Sequence, residues 1–378
     1  MKTEQTESSA AAHINRRSFL QSGATALAVS SLSGKTVAAS GSAVVEWRNQ
    51  QSGMAYRKLG RTGMMISEVV SGGDPVKLDN YEHLNLALEM GLNYLDMAPA
   101  YNQGKCEEAY GKLLANSSAK REKVYLTTKI SSFNGLLGRM YRDVFNGLPQ
   151  GKKDAILKQA TDMRIERGVE KPGYHFDYFP GQGNGYDLAY LRAAMLKDYR
   201  HKVEGTNHCR RFITESLEES LKRVGTDYFD IVMCPHGANS PEDLECPEIA
   251  ETFQQLKKQG KVRFLGLSSH NDPAGVLRAA TEKGYYDVAM LAYNVINGGH
   301  LEEPIRQAAK MGVGVISMKA AHAVATHHQA LQPIPDWRVQ KINRVIPGDM
   351  KAPMKAYLWA LQNQNISAVI LICGMRIS

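Results

Sequence analysis

From Met54 onward, short apolar runs alternate with longer amphipathic ones, and this rhythm restricts the fold more than any single motif does. The strand-like runs are Ile66–Ser71, Tyr94–Met97, Val124–Lys129, Asp230–Cys234, Val262–Ser268, Val288–Tyr293, Gly314–Met318 and Ala368–Ile372. Helical patterns lie between most of them, among them Asn80–Met90, Arg211–Val224, Pro247–Gln259 and Leu301–Lys310. Gly91, Gly225, Gly260, Gly284 and Gly312 stand where such helices should stop. Strands that each feed a helix argue an α/β chain with a parallel sheet covered by helices. Eight such units are the count of a closed (β/α)8 TIM barrel, whose functional groups gather at the carboxyl ends of the strands. The chain has 378 residues, 43% of them hydrophobic, which is ample for one such barrel over residues 54–378.

The stretch Asn93–Tyr101 carries the most chemistry. Its first half reads as a buried strand, and Pro99 ends it, because proline has no N–H for a ladder. Asp96 falls at the strand's end and Tyr101 on the loop beyond. The next strand ends in Thr127-Thr128-Lys129. If the two strands share one parallel sheet, Asp96, Tyr101 and Lys129 meet at its carboxyl edge. A buried carboxylate needs a partner, and Lys129 supplies one. A lysine ammonium beside a phenol favours the phenolate and is expected to lower its pKa, so that Tyr101 can give a proton to a carbonyl oxygen. The plainer alternative is a surface tyrosine beside a structural Asp–Lys pair.

Two stretches break the rhythm. Residues 131–207 form a long insertion after the third strand, where a connection of about 2–6 residues would suffice. Asp154–Arg167 and Asp187–Val203 read as helices, with an aromatic, glycine-rich loop from Gly173 to Gly181 between them. The insertion leaves directly after Lys129, so a lid over the site is one natural role; a decorative subdomain or an oligomer contact is the other. The second break, Ala320–Met350, reads as a long loop with His322, His327 and His328. With no acidic or cysteine ligands nearby in sequence, no metal is expected there.

Residues 1–39 read as a targeting segment. Asn15-Arg16-Arg17-Ser18-Phe19-Leu20 has the form of a twin-arginine core, an uncharged stretch runs from Ser22 to Ser33, and Val37-Ala38-Ala39 offers small residues for cleavage. The expected partner is the twin-arginine export machinery, and the expected location is periplasmic or otherwise extracytoplasmic. The net charge is +8, spread along the chain rather than gathered in a basic stripe with interleaved aromatics, which argues against nucleic acid. A mildly basic surface suits an anionic cofactor. The five cysteines include no CxxC pair, and an odd number leaves at least one thiol unpaired within the chain.

The order of the motifs carries a resemblance. Tyr56-Arg57-Lys58-Leu59-Gly60-Arg61-Thr62-Gly63, Asp96-Met97-Ala98-Pro99-Ala100-Tyr101, Thr128-Lys129, Gly225-Thr226-Asp227-Tyr228-Phe229-Asp230 and Gly266-Leu267-Ser268-Ser269 together resemble the aldo/keto reductases. That family transfers hydride between a nicotinamide cofactor, usually NADPH, and a carbonyl or alcohol. The resemblance implies that Tyr101 is the proton donor, that Lys129 tunes it, that Asp96 holds Lys129, and that His236 orients the substrate carbonyl. Pro235 falls where the family's histidine usually stands, so a bulge at Cys234-Pro235 is expected to bring His236 into place. On the cofactor side the resemblance points to Gly72, Ser268, Ser269, Lys319 and Arg376, the last placed for the 2′-phosphate of NADP. Ser269 replaces the usual asparagine, Met290 stands where a glutamine is common, and Met318 takes the place of a stacking aromatic. The chain stops two residues after Arg376, so the barrel's final helix is expected to be missing. Two other functions fit the same residues: a non-catalytic barrel that binds a sugar or a partner, and a non-redox lyase or isomerase using Tyr101 and Lys129 as acid and base.

Overall fold

The computed structural model describes residues 44–115, 118–175, 177–205, 207–325 and 333–372. Eleven strands follow in chain order: β1 (Glu46–Trp47), β2 (Tyr56–Lys58), β3 (Met64–Ser67), β4 (Val69–Gly72), β5 (Tyr94–Asp96), β6 (Tyr125–Lys129), β7 (Phe229–Met233), β8 (Val262–Ser269), β9 (Val288–Ala292), β10 (Gly314–Met318) and β11 (Ile366–Ile372). Strands β4 to β11 pair in parallel, each with the next, and β11 returns to β4, closing an eight-stranded barrel. The barrel expected from the strand–helix rhythm is therefore the fold.

Alternate residues of these strands point inward and fill the barrel. Tyr94 stands beside Tyr125, and Val70, Ile231, Met233, Val288, Met290, Ile316 and Ala368 complete the packed interior. The first expected strand, Ile66–Ser71, is in fact two. Glu68 is the pivot: its N–H donates to Ala55 O in the antiparallel β2–β3 ribbon, and its carbonyl accepts from Val369 N in the barrel. Strands β1 to β3 form a small sheet that drives Leu59, Met64 and Ile66 into the bottom of the barrel. Gly60 lets this plug seat, since a Cβ there would lie 2.3 Å from Gly314 N.

Asp230, in β7, ties the same end. It is fully buried and accepts from Leu126 N at 2.9 Å, Arg263 Nη1 at 2.6 Å and Arg121 Nη2 at 3.1 Å. A carboxylate with this many donors is satisfied inside the protein, which makes Asp230 a structural member of its motif.

The helices of the outer layer are α1 (His83–Glu89), α2 (Lys105–Leu114), α3 (Ser118–Glu122), α4 (Phe133–Asn146), α5 (Gln150–Arg167), α6 (Asn184–Val203), α7 (His208–Val224), α8 (Pro247–Lys258), α9 (Pro273–Lys283), α10 (Gly298–Lys310), α11 (Asp336–Val345) and α12 (Ala352–Gln362). The insertion after β6 holds three helices rather than the two expected. The additional one, α4, contains Gly135 and Gly138, which weaken helix propensity in the sequence. In the fold Gly138 is useful, because α6 brings Leu188 Cβ to 3.1 Å from where a side chain would begin. The stretch Ala320–Met350, expected as loop, contains α11. Among the described residues no helix is long and apolar enough to cross a membrane. The twin-arginine segment, His327, His328 and Gly374–Arg376 all lie outside the described residues, as does any final helix.

Candidate active site

The carboxyl edge of the barrel is assembled by register. Asp96 of β5 pairs with Gly72 of β4 and Thr127 of β6, and Lys129 of β6 pairs with Met233 of β7. Lys129 thus sits on the strand next to Asp96, two residues beyond the Thr127 that pairs with it. Lys129 Nζ donates to Asp96 Oδ1 at 2.5 Å and to Met97 O at 2.9 Å, and both side chains are almost fully buried. Beyond Pro99 the chain turns with a bond from Tyr101 N to Ala98 O and enters a short 3-10 segment, Tyr101–Gly104. Asn102 takes a left-handed conformation, tolerable for asparagine, and its Nδ2 donates to Asp74 O at 2.8 Å. This turn lays the Tyr101 ring over Lys129, with Nζ 4.6 Å from the ring centroid.

His236 completes the group. The Cys234–Pro235 peptide is cis, and the turn that follows is pinned to β8: Ala238 N donates to Ser268 O at 2.7 Å and Gly237 N to Ser268 Oγ at 3.0 Å. The His236 ring meets the edge of Tyr101 at 5.9 Å between centroids, and its Nδ1 is hydrogen-bonded to Ser131 Oγ at 2.9 Å. Burial, with Lys129 nearby, pushes the imidazole down to about 3. His236 is therefore neutral at ordinary pH, with one ring N–H to donate.

For Tyr101 the expected direction is reversed. Burial is the largest influence, and Asp96 and Asp74 add to it, so the phenol stands well above its usual range. The reason is geometric: the ammonium of Lys129 is already engaged by the Asp96 carboxylate, and the pair presents little net positive charge. Tyr101 keeps its proton. Asp96 is also raised, because burial outweighs the attraction of Lys129.

Asp96, Tyr101 and His236 open on a cavity of about 370 Å³, lined also by Gly72, Met290 and Lys319. Met290, Met318 and Ile370 contribute apolar surface. Lys319 packs beside Phe179 and Tyr178, 5.5 and 5.9 Å from their ring centroids. Burial pushes its ammonium down to about 8. Ser268 and Ser269 are buried within the adjoining turn rather than on the cavity wall: Ser268 Oγ accepts from Gly237 N, and Ser269 Oγ donates to Ala238 O at 2.8 Å. Arg376 lies outside the described residues.

The loop for which a lid was one expected role reaches the cavity, and one further contributor, His270, went unrecognised in the sequence. Phe179 and Pro180, from the insertion's aromatic loop, form part of the cavity wall. Buried bonds hold this loop: Tyr174 OH donates to Asp272 Oδ1 at 2.5 Å, Asn294 Nδ2 to Tyr178 OH at 2.8 Å, and Gln182 Nε2 to Asn271 Oδ1 at 2.7 Å. The insertion therefore crosses from β6 to the ends of β8 and β9. His270 also lines the cavity, and burial with Lys319 nearby pushes its pKa well down. Its only signal was its place directly after Ser268-Ser269.

The aldo/keto reductase family model matches residues 68–177 and 193–340. This chain belongs to the aldo/keto reductase family. Aldo-keto reductase AMT2 of Alternaria alternata is 26% identical over 280 residues, covering 69% of this chain and 63% of that protein. The chain spans less than two thirds of the length of that fungal relative. L-galactose dehydrogenase of Arabidopsis thaliana is 21% identical over 337 residues, covering 83% of this chain and 82% of that protein. Among solved structures, aldo-keto reductase AKR11C1 from Bacillus halodurans aligns with a TM-score of 0.53 at 20% identity, over 84% of this chain and 85% of that one, a likeness of fold.

Proposed function

We propose that this protein is an NADP-dependent oxidoreductase acting between a carbonyl and the corresponding alcohol. The observation that carries the reading is the meeting of Tyr101, Lys129, Asp96 and His236 at one end of a closed barrel, with Tyr101, Asp96 and His236 lining one cavity. The donor set fits a nicotinamide dinucleotide. Met290 and Met318 offer polarisable sulfur for a flat ring. Lys319 lines the cavity, where Asp74 also stands and acts on its charge, and its ammonium is placed to meet a diphosphate. Gly72 adds bare backbone at the same wall, while Ser268 and Ser269 brace the adjoining turn through Gly237 N and Ala238 O.

When bound, the dihydronicotinamide would supply the hydride. The protein's part is proton and charge. His236, its Nδ1 held by Ser131, donates from Nε2 to the substrate carbonyl and orients it. Tyr101 gives its proton to the same oxygen. Asp96 holds Lys129 in place beneath the Tyr101 ring, with Nζ 4.6 Å from its centroid. Phe179 and Pro180 exclude water from the cavity. The relatives include an NADH-specific methylglyoxal reductase and the L-galactose dehydrogenase, which supports a small carbonyl or sugar-like substrate. Consumption of NADPH against a panel of aldehydes, with Tyr101→Phe as the control, tests the assignment. A protein that binds NADPH and reduces none of them favours the non-catalytic or non-redox alternatives.

Lys319 gives a pH prediction. As pH rises through about 8 its ammonium loses its proton, and attraction for the diphosphate goes with it. NADPH affinity should fall across that range. Lys319→Met should weaken binding about tenfold at neutral pH, as loss of a charged hydrogen bond does, and should flatten the alkaline decline. Titrations at several pH values check both; an unchanged slope in the variant removes Lys319 from the cofactor site.

We also propose export by the twin-arginine route, supported by Asn15–Leu20 and the uncharged stretch after it. Changing Arg16 and Arg17 to lysine should leave the chain cytoplasmic and uncleaved. Cell fractionation of the two forms decides this, and undiminished export of the lysine form overturns it.

A further inference from the structure

Two cysteines far apart in the sequence come together outside the cavity. Cys209 lies in the first turn of α7, where the chain leaves the insertion, and Cys246 immediately precedes α8, where the loop that begins with His236 ends. Their sulfurs and a Glu248 carboxylate oxygen lie within 4.8 Å of one another. Both cysteines are buried, with relative exposures of 1% and 0%. The Cys246 thiol donates to Glu248 Oε2 at 3.0 Å, while Glu248 Oε1 accepts from Gly205 N at 2.5 Å.

A metal ion and a disulfide are the two readings of such a group. A divalent cation is poorly served. Among the described residues the group offers three donors, one of them a carboxylate already bonded to Gly205 and Cys246, and structural zinc takes four. The Arg192 guanidinium, itself 1% exposed, acts electrostatically on both sulfurs and would repel a cation while favouring a thiolate. Two apposed thiols with an adjacent carboxylate to take a proton suit thiol–disulfide exchange better.

We propose that Cys209 and Cys246 form a reversible dithiol–disulfide pair whose oxidant is another disulfide, either a small-molecule disulfide or a thiol–disulfide oxidoreductase. The Cys209 thiolate attacks one sulfur of the oxidant, breaking its S–S bond and releasing one thiol. Cys246, its proton passing to Glu248, then attacks Cys209 Sγ and expels the second thiol. One S–S bond forms as one breaks; the two cysteines lose two electrons and two protons, which leave in the two released thiols. The bond would fasten the carboxyl end of the 131–207 insertion to the end of the His236 loop. Two further contacts already join these segments: Arg167 on Glu242 at 2.6 Å and Arg192 on Asp243 at 3.4 Å. The inference does not depend on the proposed reductase activity.

The test equilibrates the full-length protein in mixtures of reduced and oxidised glutathione, both from the folded reduced state and during refolding from denaturant. Samples are acid-quenched, denatured, alkylated with N-ethylmaleimide and mapped by mass spectrometry. The expected result is two fewer alkylated thiols of the five, a linked peptide containing Cys209 and Cys246, and a melting temperature higher by about 5 °C. Cys209→Ser should lose the link and the temperature shift, and Cys246→Ala should do so independently if either variant folds poorly. Five free thiols at the most oxidising ratio in both approaches overturn the proposal, as does a link between other cysteines. Stoichiometric zinc in the purified protein, lost in Cys246→Ala, would identify a metal centre and overturn it equally.

Discussion

Replacing Tyr101 by phenylalanine should lower kcat by at least ~100-fold, the usual loss on removing a general acid, while leaving NADPH affinity and stability close to those of the parent. The substitution is unusually clean in this site. The ring makes the contacts, over Lys129 at 4.6 Å and edge-on to His236 at 5.9 Å, and phenylalanine keeps both. Among the described residues no group is hydrogen-bonded to the phenol oxygen, so no buried donor or acceptor is stranded by its loss. What disappears is the proton. Because burial holds the phenol well above its usual range, Tyr101 remains an acid throughout the working pH range and contributes no titration of its own there. Single-turnover rates with a reducible aldehyde, together with NADPH titration and thermal melting, separate the effects. An unchanged single-turnover rate would remove Tyr101 from the chemistry; a large fall in melting temperature would mean that the oxygen has a structural role.

The barrel was legible because its strands are buried on both faces and therefore read as short continuous apolar runs. Gly314–Met318 matches β10 to the residue. Asp96, Lys129 and Tyr101 were legible because they stand at the ends of such runs, where a parallel barrel gathers its side chains. Failures arose where long-range packing overrides local pattern. Ile66–Ser71 reads as one strand-like run but is two strands, since Ile66 plugs the barrel bottom while Val70 belongs to the barrel. Helix α4 hid behind Gly135 and Gly138. Phe179 belongs to the cavity only because Tyr174 and Tyr178 bond to residues about a hundred positions away, which no spacing rule could show. The direction of the Tyr101 shift was misjudged for a related reason: sequence placed a cation beside the phenol but could not weigh burial or the cancelling carboxylate. Cys209 and Cys246 are likewise brought near one another by folding alone.

Lys129→Met should produce the largest loss of stability, and its pH dependence identifies the source. Lys129 and Asp96 are 1% and 2% exposed, and the ammonium donates to the carboxylate and to Met97 O. Methionine fills similar volume but strands Asp96 as a buried charge. Breaking such a pair costs about 3–5 kcal/mol, a large share of a typical stability of ~5–15 kcal/mol. Asp96 already stands above the ordinary carboxylate range because burial outweighs Lys129, and without Lys129 it should rise further. A carboxyl with a raised folded pKa binds its proton more tightly in the folded chain than in the unfolded one. Its stabilising effect is complete below the unfolded value of ~3.9 and is lost as pH rises through the folded value. The deficit of the variant against the parent should therefore be greatest near neutrality and shrink towards acid. Urea unfolding at about pH 5 and about pH 7.5 measures the gap. Adding Asp96→Asn to Lys129→Met should recover most of the loss at neutral pH, because the uncompensated charge is gone. A gap independent of pH, or a double variant no more stable than Lys129→Met, would show that the lost packing of the lysine stem and its bond to Met97, rather than the stranded carboxylate, set the cost.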